Sequence, residues 1–220
     1  MIAILLAGGR SARMGRDKPL IELNSETLVE RHLRQLGRVE SLVVCNGANE
    51  PAIRERTGAR CVRQEGHDMP AAVLTGLRAA GAVETAWLVC VNDIVADDDY
   101  GQIAQAGGDI VIPTRPLERT FEGGYLEIGE GRVRRIVEKP PGGCPPGAAA
   151  NIMIHRWNGL KLLARLQERL AAGVEYESAV NEAIGEGAVA VPVPVRYWRA
   201  LKTPEDLASV EAAMRRGEVA

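Results

Sequence analysis

Glycines, a serine and a run of cations crowd together in Ala7-Gly8-Gly9-Arg10-Ser11-Ala12-Arg13-Met14-Gly15-Arg16-Asp17-Lys18, directly after the apolar run Ile2 to Leu6. Glycines have no Cβ, so backbone N–H groups can approach and point at an anion. Ser11 adds a hydroxyl, and Arg13, Arg16 and Lys18 add charge. The chemistry is phosphate binding, and a strand feeding such a loop suggests a nucleotide. A P-loop would need Lys-Ser or Lys-Thr after its second glycine, where this chain has Arg16-Asp17-Lys18-Pro19. A dinucleotide fingerprint is excluded too, because Gly8 and Gly9 are adjacent. Pro19 speaks against a long helix directly after the loop, so the loop is expected to wrap its ligand. The plain alternative is a Gly/Ser/Arg surface turn.

A second group with chemical reach is Asp93, just past the apolar run Trp87 to Val91. A carboxylate at the lip of a sheet is a hard oxygen ligand suited to Mg²⁺ beside a triphosphate. Its plain alternative is a helix cap. The acidic run Asp97-Asp98-Asp99 is expected to cap a helix or face solvent. His32, His67 and His155 are scattered without metal-ligand spacing and read as structural or surface residues. Cys45, Cys61, Cys90 and Cys144 have no paired spacing and read as reduced thiols of a cytoplasmic protein.

The elements that must position these groups alternate. Thr27 to Leu36 is apolar at helical spacing and opens on the capping-box pair Thr27 and Glu30. Leu42 to Cys45 reads as a buried strand closed by Asn46-Gly47, and Ala59 to Arg63 as another. Ala71 to Ala80 is helical with Gly81 as its stop, and Trp87 to Val91 is apolar without alternation, as in a strand covered on both faces. The order β-α-β-α-β predicts a doubly wound α/β sheet with ligands at the carboxyl ends of its strands. After Pro113 the pattern changes. Leu126 to Ile128 and Val133 to Val137 flank Gly129-Glu130-Gly131 as a hairpin, and Asn151 to Ile154 reads as a strand. Leu160 to Leu170 is an amphipathic helix, and Tyr176 begins another. Thr203-Pro204-Glu205-Asp206 starts the last helix, with Thr203 as N-cap and Pro204 at the first position.

With 220 residues, 46% of them hydrophobic, the chain can bury one sizeable core. One domain is expected, residues 1–112 forming a nucleotide-binding half and 113–220 an acceptor-binding half. A net charge of −2 argues against a dedicated nucleic-acid or membrane-surface binder. The first apolar run is too short for a membrane span and lacks a basic leader.

The stretch Leu6 to Gly15 followed by Lys18 resembles the N-terminal signature of the nucleotidyltransferases, which include sugar-1-phosphate nucleotidylyltransferases and molybdenum-cofactor guanylyltransferases. The resemblance implies a Rossmann-like mixed sheet of the GT-A-like kind with a small acceptor-side hairpin. It implies nucleotide contacts from Leu6, Ala7, Gly8, Gly9, Arg10, Ser11, Arg13, Met14, Gly15 and Lys18, and more loosely from Asn46, Gln64, Pro70 and Ala71. Asp93 would hold the metal. Glu138-Lys139-Pro140 after a glycine and a hairpin resembles the acceptor half of the sugar enzymes, so Gly123 or Gly124, Glu138, Lys139 and Asn151 would meet the acceptor. Arg13, Lys18, Asp93 and Lys139 would carry catalysis, moving a nucleotidyl group from an NTP to a phosphorylated acceptor with Mg²⁺. A sugar 1-phosphate is the first expectation. A molybdopterin, a cobinamide phosphate, an alcohol phosphate, or binding with weakened turnover are the alternatives. The family's second metal-binding aspartate, three positions before the helix-starting threonine, is Ala200 here.

Overall fold

Ile2–Ala7 is buried along its whole length, as a strand covered on both faces must be. It is β1 of a computed structural model that describes residues 1–9, 11 and 14–219. A turn of 3-10 helix at Lys18–Leu20 follows the loop, with Pro19 inside it, in place of a long helix. Next come a ribbon of β2 (Glu22–Leu23) and β3 (Glu26–Thr27), α1 (Leu28–Leu36), β4 (Glu40–Cys45), α2 (Glu50–Thr57), β5 (Arg60–Arg63), α3 (Met69–Ala80) and β6 (Thr85–Cys90). The chain continues through β7 (Asp93–Val95), α4 (Asp99–Gln105), β8 (Ile110–Thr114), the hairpin β9 (Gly124–Gly129) and β10 (Arg132–Glu138), and β11 (Ala149–Ala150). It ends with β12 (Ile154–Asn158), α5 (Leu160–Ala171), α6 (Tyr176–Gly185), β13 (Ala190–Pro194), β14 (Trp198–Ala200) and α7 (Pro204–Arg215).

The main sheet has the order β13-β8-β12-β6-β1-β4-β5. All neighbours are parallel except β12, which runs antiparallel to both β6 and β8 and makes the sheet mixed. From β1 the chain steps outward to β4 and β5, then returns across β1 to β6. That reversal opens a crevice at the carboxyl ends of the strands. Side chains alternate across the sheet. Ile2, Ile4 and Leu6 share a core with Val73 and Leu77 of α3, Leu163 and Leu166 of α5, and Ala179 of α6. Ala3, Leu5 and Ala7 pack on the other face with Val29 of α1, Ile53 of α2 and Ile103 of α4. A third cluster joins Met14, Ile21 and Leu28 to Ile94, Leu201, Leu207 and Val210, fastening α7 over the paired strands β7 and β14.

Local chemistry sets the helix starts. Thr27 and Glu30 form a reciprocal capping box at α1, and Thr203 with Asp206 forms another at α7. Asp68 caps α3, its Oδ1 accepting the Ala71 N–H at 2.8 Å. Two expectations are corrected. The strand placed at Asn151 to Ile154 lies at Ile154–Asn158, because the short β11 pairs with the hairpin and residues 151–153 cross between sheets. Of the acidic run, Asp98 stands exposed at the N-cap position of α4 as expected, whereas Asp97 and Asp99 are held by partners. Asp97 pairs with Arg31 and Arg34, and the buried Asp99 accepts backbone N–H groups of Ala96 and Arg196 at 3.0 and 2.9 Å. Among the described residues no helix is long and apolar enough to cross a membrane.

Gly76 of α3 sits so close to the sheet that a Cβ there would overlap Ile4 Cγ2 and stand 3.1 Å from Val44 Cγ2. Helix propensity alone would favour Ala at this position by about 1 kcal/mol. Because the contact is with packed core side chains, Gly76→Ala is expected instead to destabilise the fold by about 1–3 kcal/mol, read as a lowered thermal midpoint.

Candidate active site

The glycine loop leaves β1 into a cleft of about 740 Å³, lined by Gly8, Gly9, Ser11, Gly15, Asn46, Gln64 and His67 among others. Three strand ends thus meet there: β1 through the loop, β4 through Asn46 and β5 through Gln64. Lys18 is buried, and its N–H donates to Ser11 Oγ at 3.0 Å, closing the loop on itself. Asn49 ties these pieces together. Its Nδ2 donates to Ala7 O at 2.8 Å and Asp17 Oδ1 at 3.2 Å, while its Oδ1 accepts the Asn46 N–H at 3.0 Å. Asn49 precedes α2 yet makes no side-chain cap, its amide being committed to the cleft. No motif singles out Asn49; only its place three residues after a strand-ending asparagine hints at it. Leu6 and Ala7 are buried in β1, and Met14 is buried in the α7 cluster, so the Met14 side chain anchors the loop. Pro70 and Ala71 lie in the first turn of α3. Arg10 and Arg13 lie outside the described residues.

Asp93 opens β7, one step past the end of β6, and is buried. Burial raises its carboxyl to a pKa of about 6, against which work the Trp198 indole N–H, donated to Oδ1 at 2.8 Å, and the charges of Lys202 and Lys18. The residue in register across from Asp93 on β14 is Ala200. Lys202 donates to Glu122 O and lies 3.8 Å from the Phe121 ring centroid. A second cleft of about 670 Å³ is lined by Phe121, Trp198, Ala200 and Lys202, among others, and so reaches the residues that touch Asp93.

In the second half of the chain the hairpin and the crossing segment meet over one glycine. A Cβ on Gly124 would collide with Glu138 Oε2 and stand 3.3 Å from Asn151 Nδ2. Gly123 faces the Phe121 ring instead, so Gly124 is the glycine that opens this cradle. Lys139 follows with φ +44, a left-handed conformation unusual for a side-chain-bearing residue, and its Nζ stands 3.7 Å from Glu138 Oε1. Glu177, at the start of α6, is pushed up to a pKa of about 7, first by burial and then by the charge of Glu138.

Residues 3–175 match the MobA-like NTP transferase domain. The chain belongs to that family. A probable molybdenum cofactor guanylyltransferase from Opitutus terrae is 35% identical over 143 residues, covering 60% of this chain and 71% of that protein. Among solved structures, a putative glucose-1-phosphate thymidylyltransferase from Bacillus anthracis superposes with a TM-score of 0.79 at 15% identity, covering 98% of this chain and 96% of that one. The CTP:phosphocholine cytidylyltransferase of Streptococcus pneumoniae gives 0.74 at 13% identity, with 97% and 99% covered. An inositol-1-phosphate CTP transferase from T. maritima gives 0.72 at 14%, with 98% and 95% covered. These likenesses confirm the mixed α/β nucleotidyltransferase fold expected from the loop and the strand order. The 740 Å³ cleft lies at the carboxyl ends of β1, β4 and β5, the edge at which open α/β sheets bind their ligands.

The raised carboxyl of Asp93 has a consequence for stability without ligands. The folded protein holds this proton more tightly than the unfolded chain, whose value is near 3.8, so the fold loses stability as pH rises from there through about 6. Asp93→Asn removes that loss while keeping an oxygen for Trp198. It is expected to melt at a higher temperature than the wild type at pH 8, by an amount of order 1–3 kcal/mol, and at the same temperature near pH 4. Thermal denaturation at the two pH values, without nucleotide or divalent metal, measures the difference.

Proposed function

We propose that the chain transfers a nucleotidyl group from an NTP to a phosphorylated, hydroxyl-bearing acceptor, a sugar 1-phosphate first among them, releasing pyrophosphate. The observation that carries this reading is the cradle over Gly124, where the side chains of Glu138 and Asn151 converge over the glycine backbone beside Lys139. A carboxylate accepts from hydroxyls and an amide N–H donates to them, which is how a polyol is recognised.

The reaction asks the protein to hold two repelling anions together. A phosphate oxygen of the acceptor attacks the α-phosphorus in line, the bond from that phosphorus to the bridging oxygen breaks, and pyrophosphate leaves with the electron pair. A phosphate monoester is already largely ionised at neutral pH, so no strong general base is required. Lys18 and the loop N–H groups bind the nucleotide phosphates, Arg13 adds charge to them, and Lys139 draws in the acceptor phosphate. The donor set fits Mg²⁺ held by one protein carboxylate. Among the described residues no group of three His, Cys, Asp or Glu could cage an ion, so Asp93 would supply one ligand and phosphates and water the rest. Bound there, the ion would supply neutralisation of the developing phosphate charge.

A second reading is favoured by the Opitutus relative: a guanylyl group passed to molybdopterin, with the same loop and the same Asp93. A pyrophosphate-release screen separates the two, each NTP being offered with Mg²⁺ and either a panel of sugar 1-phosphates or molybdopterin. Release with a sugar 1-phosphate, lost in Arg13→Ala and Asp93→Ala, supports the first reading. Release only with GTP and molybdopterin replaces it by the second. Gly124→Ala is expected to raise the KM for the acceptor at least tenfold and leave the KM for the NTP unchanged.

A further inference from the structure

Asn151 touches the cradle, and a buried chain of hydrogen bonds behind it decides what it offers there. Its side-chain oxygen is 2.9 Å from His155 Nε2, His155 Nδ1 is 2.8 Å from the Tyr176 hydroxyl, and the Trp157 indole nitrogen is 3.0 Å from that same hydroxyl. His155 and Tyr176 are 0% exposed and Trp157 is 1% exposed, so bulk water does not compete for the two bonds at the Tyr176 hydroxyl.

The chain can be polarised in one sense only. An indole N–H donates and never accepts, so the Tyr176 oxygen accepts from Trp157 and its own proton is left for His155 Nδ1. Nδ1 then acts as acceptor, the neutral ring carries its hydrogen on Nε2, and that hydrogen goes to Asn151 Oδ1. A charged ring would leave the tyrosine hydrogen buried without a partner. Burial likewise keeps the ring neutral, with a pKa pushed down to about 3. With Oδ1 committed, Asn151 Nδ2 is what faces the space over Gly124, beside the Glu138 carboxylate.

We propose that Trp157, Tyr176 and His155 form a positioning relay that locks the Asn151 carboxamide with its N–H groups toward the acceptor. The acceptor is therefore read there by a donor next to an acceptor-only carboxylate, a pair that one hydroxyl group or two neighbouring ones satisfy. The kinetic half of this inference rests on the proposed transfer to a hydroxylated acceptor; the relay itself does not.

The test uses the full-length protein with ¹⁵N-labelled histidine. Long-range ¹H–¹⁵N correlation is expected to show His155 neutral with its hydrogen on Nε2, the signal being assigned by its loss in His155→Gln. Tyr176→Phe removes the donor to Nδ1, so the ¹⁵N signal of Nδ1 should move to that of a nitrogen accepting no hydrogen bond, and the KM for glucose 1-phosphate should rise at least tenfold with the KM for the NTP unchanged. Asn151→Asp keeps the oxygen that meets His155 and replaces the donor; it should leave the tautomer as in the wild type and raise the same KM. A wild-type hydrogen on Nδ1, or an Nδ1 signal indifferent to Tyr176→Phe, overturns the relay. A KM for glucose 1-phosphate unmoved by Asn151→Asp overturns its role in acceptor reading. If wild-type protein turns over no sugar phosphate, the functional reading fails while the tautomer still decides the relay, and Asn151→Asp decides the role in binding through glucose 1-phosphate affinity measured by calorimetry.

Discussion

Asp93 is buried where the sheet ends, and burial raises its carboxyl to a pKa of about 6 even with a hydrogen-bond donor and two lysines acting against it. Much of the surrounding architecture places those groups. The strand β14 is laid antiparallel against β7 and brings the Trp198 indole to Asp93 Oδ1; beyond the strand, the turn before α7 carries Lys202, whose charge favours the ionised carboxyl. The loop after β1 closes on Ser11 and buries Lys18, whose charge reaches the same carboxyl. The α7 cluster, which includes Met14 from that loop, fixes both sources of charge to one apolar body.

The parts of the fold that announced themselves in sequence are those governed by neighbours in the chain. Thr27 and Glu30, Thr203 and Asp206, and the glycine after α3 are local chemistry, and each appears where the residue types placed it. The buried runs at Ile2–Ala7 and Thr85–Cys90 were legible because strands covered on both faces lose the alternation of one-sided strands. The segment after Ala150 was misplaced for the converse reason. Its apolar character is shared between a short pairing with β9 and a later one with β6, and only tertiary structure divides them.

The site divides in the same way. The glycine loop and Asp93 are visible as residue types at strand ends, whereas Gly124 and Glu138 enter only through the resemblance of Glu138-Lys139-Pro140 to the acceptor half of the sugar enzymes. Asn49 is not visible in sequence, because its three hydrogen bonds reach β1, the loop and the end of β4, and no spacing encodes such a convergence. Trp198 was passed over in favour of its neighbour Ala200. The indole acts on Asp93 diagonally across two strands, whereas Ala200 lies directly opposite and contributes no oxygen. His155 reads in sequence as a structural or surface residue, and it is buried. Its chemical weight comes from Tyr176, 21 residues away, and from Asn151.

The charges on the two sides of Gly124 also constrain the direction in which an acceptor can lie. Glu138 stands over the glycine, and its charge is one reason Glu177 is pushed up to a pKa of about 7. A phosphate placed against that pair would meet like charge. Lys139 stands beside Glu138, its Nζ 3.7 Å from Oε1, its backbone held in a left-handed conformation and its N–H donated to Gly123 O at 2.9 Å, while Lys202 and Lys18 act on Asp93. On the proposed reading the neutral, hydrogen-bonding part of the acceptor therefore lies at Glu138 and Asn151 and its phosphate points to the lysines. That places the attacking oxygen on the side from which the nucleotide phosphates arrive. Orientation is then set before any bond is made, by two carboxylates that repel the wrong end of the substrate and an amide that can only donate to the right one.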